Sequence, residues 1–121
     1  MSTTYQNALS STGTCVMTQA ANPYVTWNLT SLEVSFAGPS NGPNARVTIY
    51  DGTVAAGTVL YRAFLTQPVG SIGCVQKINL PVTASGQIGL QALPGNAMNI
   101  VVDGFGANQC SINARFNDGL T

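Results

Sequence analysis

Apolar and polar residues alternate along most of this chain. Leu32, Val34 and Phe36 alternate with Glu33 and Ser35, and Val47 and Ile49 alternate with Arg46, Thr48 and Tyr50. Cys74, Ile78 and Leu80 share one parity, while Val75, Lys77 and Asn79 share the other. Ile88, Leu90 and Ala92 continue the pattern, as do Met98, Ile100 and Val102, then Cys110, Ile112, Ala114 and Phe116. Successive side chains of a strand point to opposite faces, so a period of two predicts strands with one face buried. No segment sustains the three-and-four spacing of an amphipathic helix.

Turn chemistry separates the runs. "AGPSNGPNA" (37–45), "DGTVAAG" (51–57), "QPVGSIG" (67–73), "PVTASG" (81–86), "LPGNA" (93–97) and "DGFGANQ" (103–109) are rich in Gly, Pro, Asn and Asp. They leave about eight strands, near 14–19, 24–36, 46–50, 58–65, 73–80, 87–92, 98–103 and 110–116. The 24–36 run is long enough to bend or to pass between sheets. Many short strands at regular spacing predict an all-β, single-domain antiparallel β-sandwich, jelly-roll-like in topology. Apart from Met1, residues 1–13 hold only Tyr5, Ala8 and Leu9 as apolar content and read as an N-terminal arm, with the sandwich over 14–121.

Charge changes the picture. Only 7% of residues are charged, against about 25% in soluble domains. Four basic residues balance four acidic ones, and there is no histidine. Ser, Thr, Asn and Gln take the place of the missing charges. A chain of zero net charge is poorly protected against association, and amides and hydroxyls are cheaper to desolvate than ions. Lasting packing against other subunits is therefore preferred over a solitary protein with a polar, uncharged surface. Four scattered cations cannot form the stripe that neutralises several phosphates, which argues against a nucleic-acid partner. A membrane partner is equally unsupported, since there is no basic amphipathic helix and no apolar run of spanning length. The opening "MSTTYQNALSSTG" has neither a positive nor an apolar signal region, and predicts synthesis in a cytoplasm without conventional export.

Candidate chemistry is sparse. Asp51-Gly52 and Asp103-Gly104 each end a strand. Asp bonds nearby backbone N–H groups and Gly accepts positive φ, so turn formation explains both pairs. The alternative, in which the two carboxylates converge on a metal or act as an acid–base pair, is weaker because calcium needs six to eight oxygens. Without histidine the common activated nucleophiles are unavailable. No enzyme, cofactor or metal site is expected. Cys15, Cys74 and Cys110 lie in or beside apolar alternations and are expected as small buried hydrophobes. An oxidising medium would permit one disulfide, whose pairing the spacing leaves open. Tyr24 and Trp27 are an alternative ligand platform for stacking on sugars, though Trp27 is first of all a core candidate. Tyr5, Ala8 and Leu9 of the arm, with Glu33, Arg62 and Arg115 on strands, are the candidate interface residues.

The stretches "VTIYDGTVAAGTVLYRAFL", "INLPVTASGQIGLQAL" and "NIVVDG" together resemble short all-β accessory virion proteins of tailed bacteriophages, of the cement, decoration or head-fibre type. The resemblance covers about residues 46–104 and consists of strand and turn types. It implies a protein made in the host cytoplasm that assembles on the capsid surface, commonly as a homotrimer. There it would bridge subunits of the major capsid protein, without catalysis. A carbohydrate-binding or adhesin module of a tail fibre or spike is the alternative.

Overall fold

A computed structural model describes residues 3–10, 13–39, 44–54, 56–66, 72–81, 89–104 and 109–120. Among these, nine strands run in chain order: β1 (Thr3–Ser10), β2 (Thr14–Gln19), β3 (Val25–Pro39), β4 (Asn44–Asp51), β5 (Thr58–Thr66), β6 (Ile72–Lys77), β7 (Leu90–Gln91), β8 (Met98–Asp103) and β9 (Gln109–Leu120). One sheet has the order β1-β9-β3-β6, with the two-residue β7 also on β3, and the other has the order β2-β8-β4-β5. All pairings are antiparallel. This interleaved order is that of a jelly roll, in which two Greek keys wrap one core. The expected sandwich is the fold of the chain.

The core lies between the sheets and takes one parity from each strand. Leu29, Leu32, Val34, Phe36, Ile112 and Phe116 of the first sheet meet Met17, Val47, Ile49, Ile100 and Val102 of the second. The long β3 bends without leaving its sheet. Its register slips between Leu29 and Ser31, leaving Thr30 as the extra residue, so the inward positions change from 25, 27 and 29 to 32, 34 and 36. A bulge of this kind re-aims every later side chain.

Residues 3–10 are not a separate arm. They form β1, paired along its whole length with β9 at the edge of the first sheet. Its inward positions, Thr4, Gln6 and Ala8, are mostly polar because an edge strand is only half covered. Gln6 Nε2 donates to the buried Gln19 Oε1 of β2 at 2.9 Å and so bridges the two sheets. The expected strand at 73–80 ends at Lys77, yet Ile78 N still donates to Leu32 O at 2.9 Å, and Ile78 and Leu80 remain buried. Of the run expected at 87–92, residues 87 and 88 lie outside the described residues, and only Leu90–Gln91 are strand.

The 51–57 loop is a structural clamp. Buried Asp51 accepts from Leu93 N at 3.1 Å through Oδ2 and from Asn96 Nδ2 at 3.0 Å through Oδ1. Gly52, at φ 98°, donates its N–H to Ala97 O at 2.9 Å and accepts from Asn99 Nδ2 at 2.6 Å. At Gly57 a Cβ would stand 2.4 Å from the Asp51 carbonyl oxygen, so the loop closes only over a glycine.

Candidate interaction face

The outer face of the first sheet is built from the parity that the core rejects. In one cross-strand row Tyr5 of β1 stands opposite Arg115 of β9, which stands opposite Ser31 of β3. In the next row Asn7, Asn113, Glu33 and Lys77 face one another in sequence across four strands. Direct cross-strand neighbours are close enough to interact. Asn7 Nδ2 donates to Asn113 Oδ1 at 2.5 Å. The Arg115 guanidinium lies over the Tyr5 ring, 4.9 Å from its centroid, and both Nε (3.1 Å) and Nη2 donate to the Tyr5 hydroxyl. Thr30, the bulge residue, donates its hydroxyl to the Arg115 carbonyl at 3.1 Å and so fixes the backbone beneath that side chain. The result is a groove of about 310 Å³ walled by Tyr5, Asn7, Ser31, Glu33, Asn113 and Arg115.

Three of the six interface residues expected from sequence, Tyr5, Glu33 and Arg115, therefore meet in one place, while Ala8 and Arg62 lie elsewhere. Ala8 points inward and packs against the core. Leu9 lies opposite Ser111 in register, and its side chain is outside the described set. Arg62 sits on the outer face of the other sheet, where its Nε donates to Thr48 Oγ1 at 3.4 Å. Phe64, 71% exposed and two positions along β5 from Arg62, was missed, although its parity with Arg62 already marked it as outward. Asn7, Ser31 and Asn113 were also missed, because nothing in the sequence links three isolated polar residues before the register of β1, β3 and β9 is known.

The tyrosine–tryptophan platform does not form. Tyr24 is 77% exposed, whereas Trp27 is 8% exposed and faces the core. Its Nε1 donates to Ala20 O at 2.9 Å and its ring meets Phe116 edge-on, with centroids 6.4 Å apart. The two candidate carboxylates do not converge either. Asp103 is opposite Arg46 at the start of β4, while Asp51 ends that strand. Five residues of strand separate the two positions by roughly 17 Å. Asp103 instead holds Arg46 at 3.3 Å (Nε to Oδ1) and 2.9 Å (Nη2 to Oδ2). Those hydrogen bonds, with the carboxylate charge, keep the Arg46 guanidinium above its ordinary pKa. Among the described residues, no group of three His, Cys, Asp or Glu side chains is placed to hold a metal ion.

No protein-family model matches the chain, and no curated protein matches it. Solved structures resemble this chain at low identity. A protein of Bacillus endospore appendages, described as a novel family of disulfide-linked pili, is 7% identical, with 99% of this chain and 87% of that one covered and a TM-score of 0.47. A chain of Broad Bean Stain Virus is 9% identical, with coverage of 100% and 90% and a TM-score of 0.46. The CBM36-1 domain of a multidomain xylanase from the hindgut metagenome of Trinervitermes trinervoides is 14% identical, with coverage of 95% and 77% and a TM-score of 0.39. One fold hosts many unrelated functions, and no activity follows from these likenesses.

Proposed function

We propose that this chain is a structural virion protein that decorates or cements a viral capsid through lasting contacts between subunits. The observation that carries the reading is how little charge its two broad outer faces carry: Glu33, Lys77 and Arg115 on one, and Arg62 with the Arg46–Asp103 pair on the other. Asp51 is buried in the 51–57 clamp, and Arg46 and Asp103 are spent on each other. What remains outside is largely amide, hydroxyl and exposed rings, including Tyr5 and Phe64. Such a surface is cheap to dehydrate, and exposed aromatic rings are common anchors of subunit interfaces. The partners are further copies of the chain, with a trimer as the expected form, and the major capsid protein.

Light scattering after size exclusion tests the reading. The native chain is expected to elute as an oligomer at micromolar concentration. Tyr5→Asp and Phe64→Asp each place a charge on one outer face at a position where folding has little to lose. One of them is expected to release monomers with an unchanged melting temperature. A native chain that is monomeric at ~100 µM, where a specific interface of standard size is saturated, and that does not bind capsids overturns the proposal.

A carbohydrate-binding role is the second reading, and the groove favours it. An aromatic wall beside amides and a carboxylate is the chemistry that receives a sugar ring. The ring that matters is then Tyr5 and not Trp27. A glycan array showing binding that Tyr5→Ala abolishes would shift the assignment to this class.

A further inference from the structure

Cys15 and Cys110 come together at one corner of the sandwich. Cys110, the second residue of β9, stands directly opposite Ser10, the last residue of β1. Beyond Ser10 the chain crosses to the second sheet, and Cys15 is the second residue of β2. The crossover between β8 and β9 leaves from Asp103, which pairs with Thr14, next to Cys15. Two short connections thus draw the sheets together at this corner. Both cysteines face inward, both are free thiols buried in the core, β2 and β9 come into contact across the gap between the sheets, and each thiol is near enough to shift the titration of the other. Cys74, by contrast, lies two strands away from Cys110, with Phe36 between them in the same row.

We propose that Cys15 and Cys110 are the cysteine pair that oxidation joins, forming an intramolecular staple between the two sheets. The oxidant is a small-molecule disulfide. One cysteine thiolate attacks it to give a mixed disulfide and releases one thiol. The second cysteine then displaces the remaining thiol, so one disulfide is reduced to two thiols as the protein bond forms. Timing follows from burial. Desolvation, aided by the neighbouring Cys15, pushes the Cys110 thiol up to about 12, and burial raises Cys15 as well. The thiolate is the reactive form, so exchange is slow once the sandwich has closed. The staple therefore forms while the chain folds and thereafter resists reduction. It closes a loop that spans most of the chain, the case in which a cross-link most restricts the unfolded state.

The test is refolding of the denatured, reduced chain in a mixture of oxidised and reduced glutathione, with a thiol-only refolding alongside. Trypsin cuts after Arg46, Arg62, Lys77 and Arg115, which puts each cysteine on its own fragment. The expected product is two hydrogens lighter, joins fragment 1–46 to fragment 78–115 without reductant, and melts roughly 10 °C or more above the thiol form. Cys74→Ser is expected to keep the link and the shift. Cys15→Ser should lose both, and should that variant not fold, the Cys74→Ser result decides. A link through Cys74, a link between chains, a fully reduced product, or a linked protein that melts no higher than the thiol form overturns the proposal.

Discussion

Replacing Phe116 with alanine is expected to cost about 3–5 kcal/mol of folding stability. Phe116 is fully buried and sits on β9, the strand enclosed by β1 and β3, where it pairs with Thr4 on one side and Leu29 on the other. Its ring meets the edge of Trp27 at an interplanar angle of 75°. The cavity cannot collapse easily, because Trp27 is tethered through Nε1 to the Ala20 carbonyl and Leu29 is held in the sheet ladder. A rigid void retains the full penalty of lost contacts, and typical domains have only about 5–15 kcal/mol to lose. Urea denaturation measures the effect. Phe64→Ala is the control, since that ring is largely exposed and its removal should change stability by no more than about 0.5 kcal/mol. A Phe116→Ala loss below about 1 kcal/mol would mean that the two sheets do not meet at this ring.

Asp51→Ala is expected to lose about 2–4 kcal/mol, although no apolar packing is removed. The carboxylate accepts two hydrogen bonds from the 93–97 loop, one from the Leu93 amide and one from the Asn96 side chain. Alanine leaves both donors facing a buried site without an acceptor, and an unmade buried bond costs more than a made one contributes. Asp51→Asn is expected to cost only about 1 kcal/mol. The new amide can accept from Leu93 N and donate to Asn96 once that side chain turns its oxygen inward. Equilibrium unfolding gives the totals, and faster hydrogen exchange at the Leu93 amide in Asp51→Ala would locate the damage. Equal losses for Ala and Asn would show that the site requires charge and not merely an acceptor.

These two residues also mark the reach of the sequence. Phe116 was legible as core, because Cys110, Ile112 and Ala114 share its parity and strand geometry allows no other reading. Asp51 was legible as a turn residue, but its partners lie more than forty positions along the chain, and no local pattern names them. The bulge at Thr30 was legible and overlooked. Val25, Trp27 and Leu29 keep one parity, Leu32, Val34 and Phe36 keep the other, and only an extra residue reconciles them. Strand β1 was not legible. Its inward residues are mostly polar, and its whole ladder depends on β9 at the far end of the chain.

The sequence alone determined that this protein is a two-layer β fold, which residues fill its core, and that little of its surface carries charge. Those properties are local or compositional: parity fixes a side chain's face, and a residue's type fixes its cost of dehydration. The tertiary structure alone decided that Tyr5, Glu33 and Arg115 share a groove while Arg62 lies on the opposite face, and that Cys15 and Cys110 come together at one corner of the core. Those are matters of register between strands distant in sequence, and register is set only when the sheets pair and close over a common core.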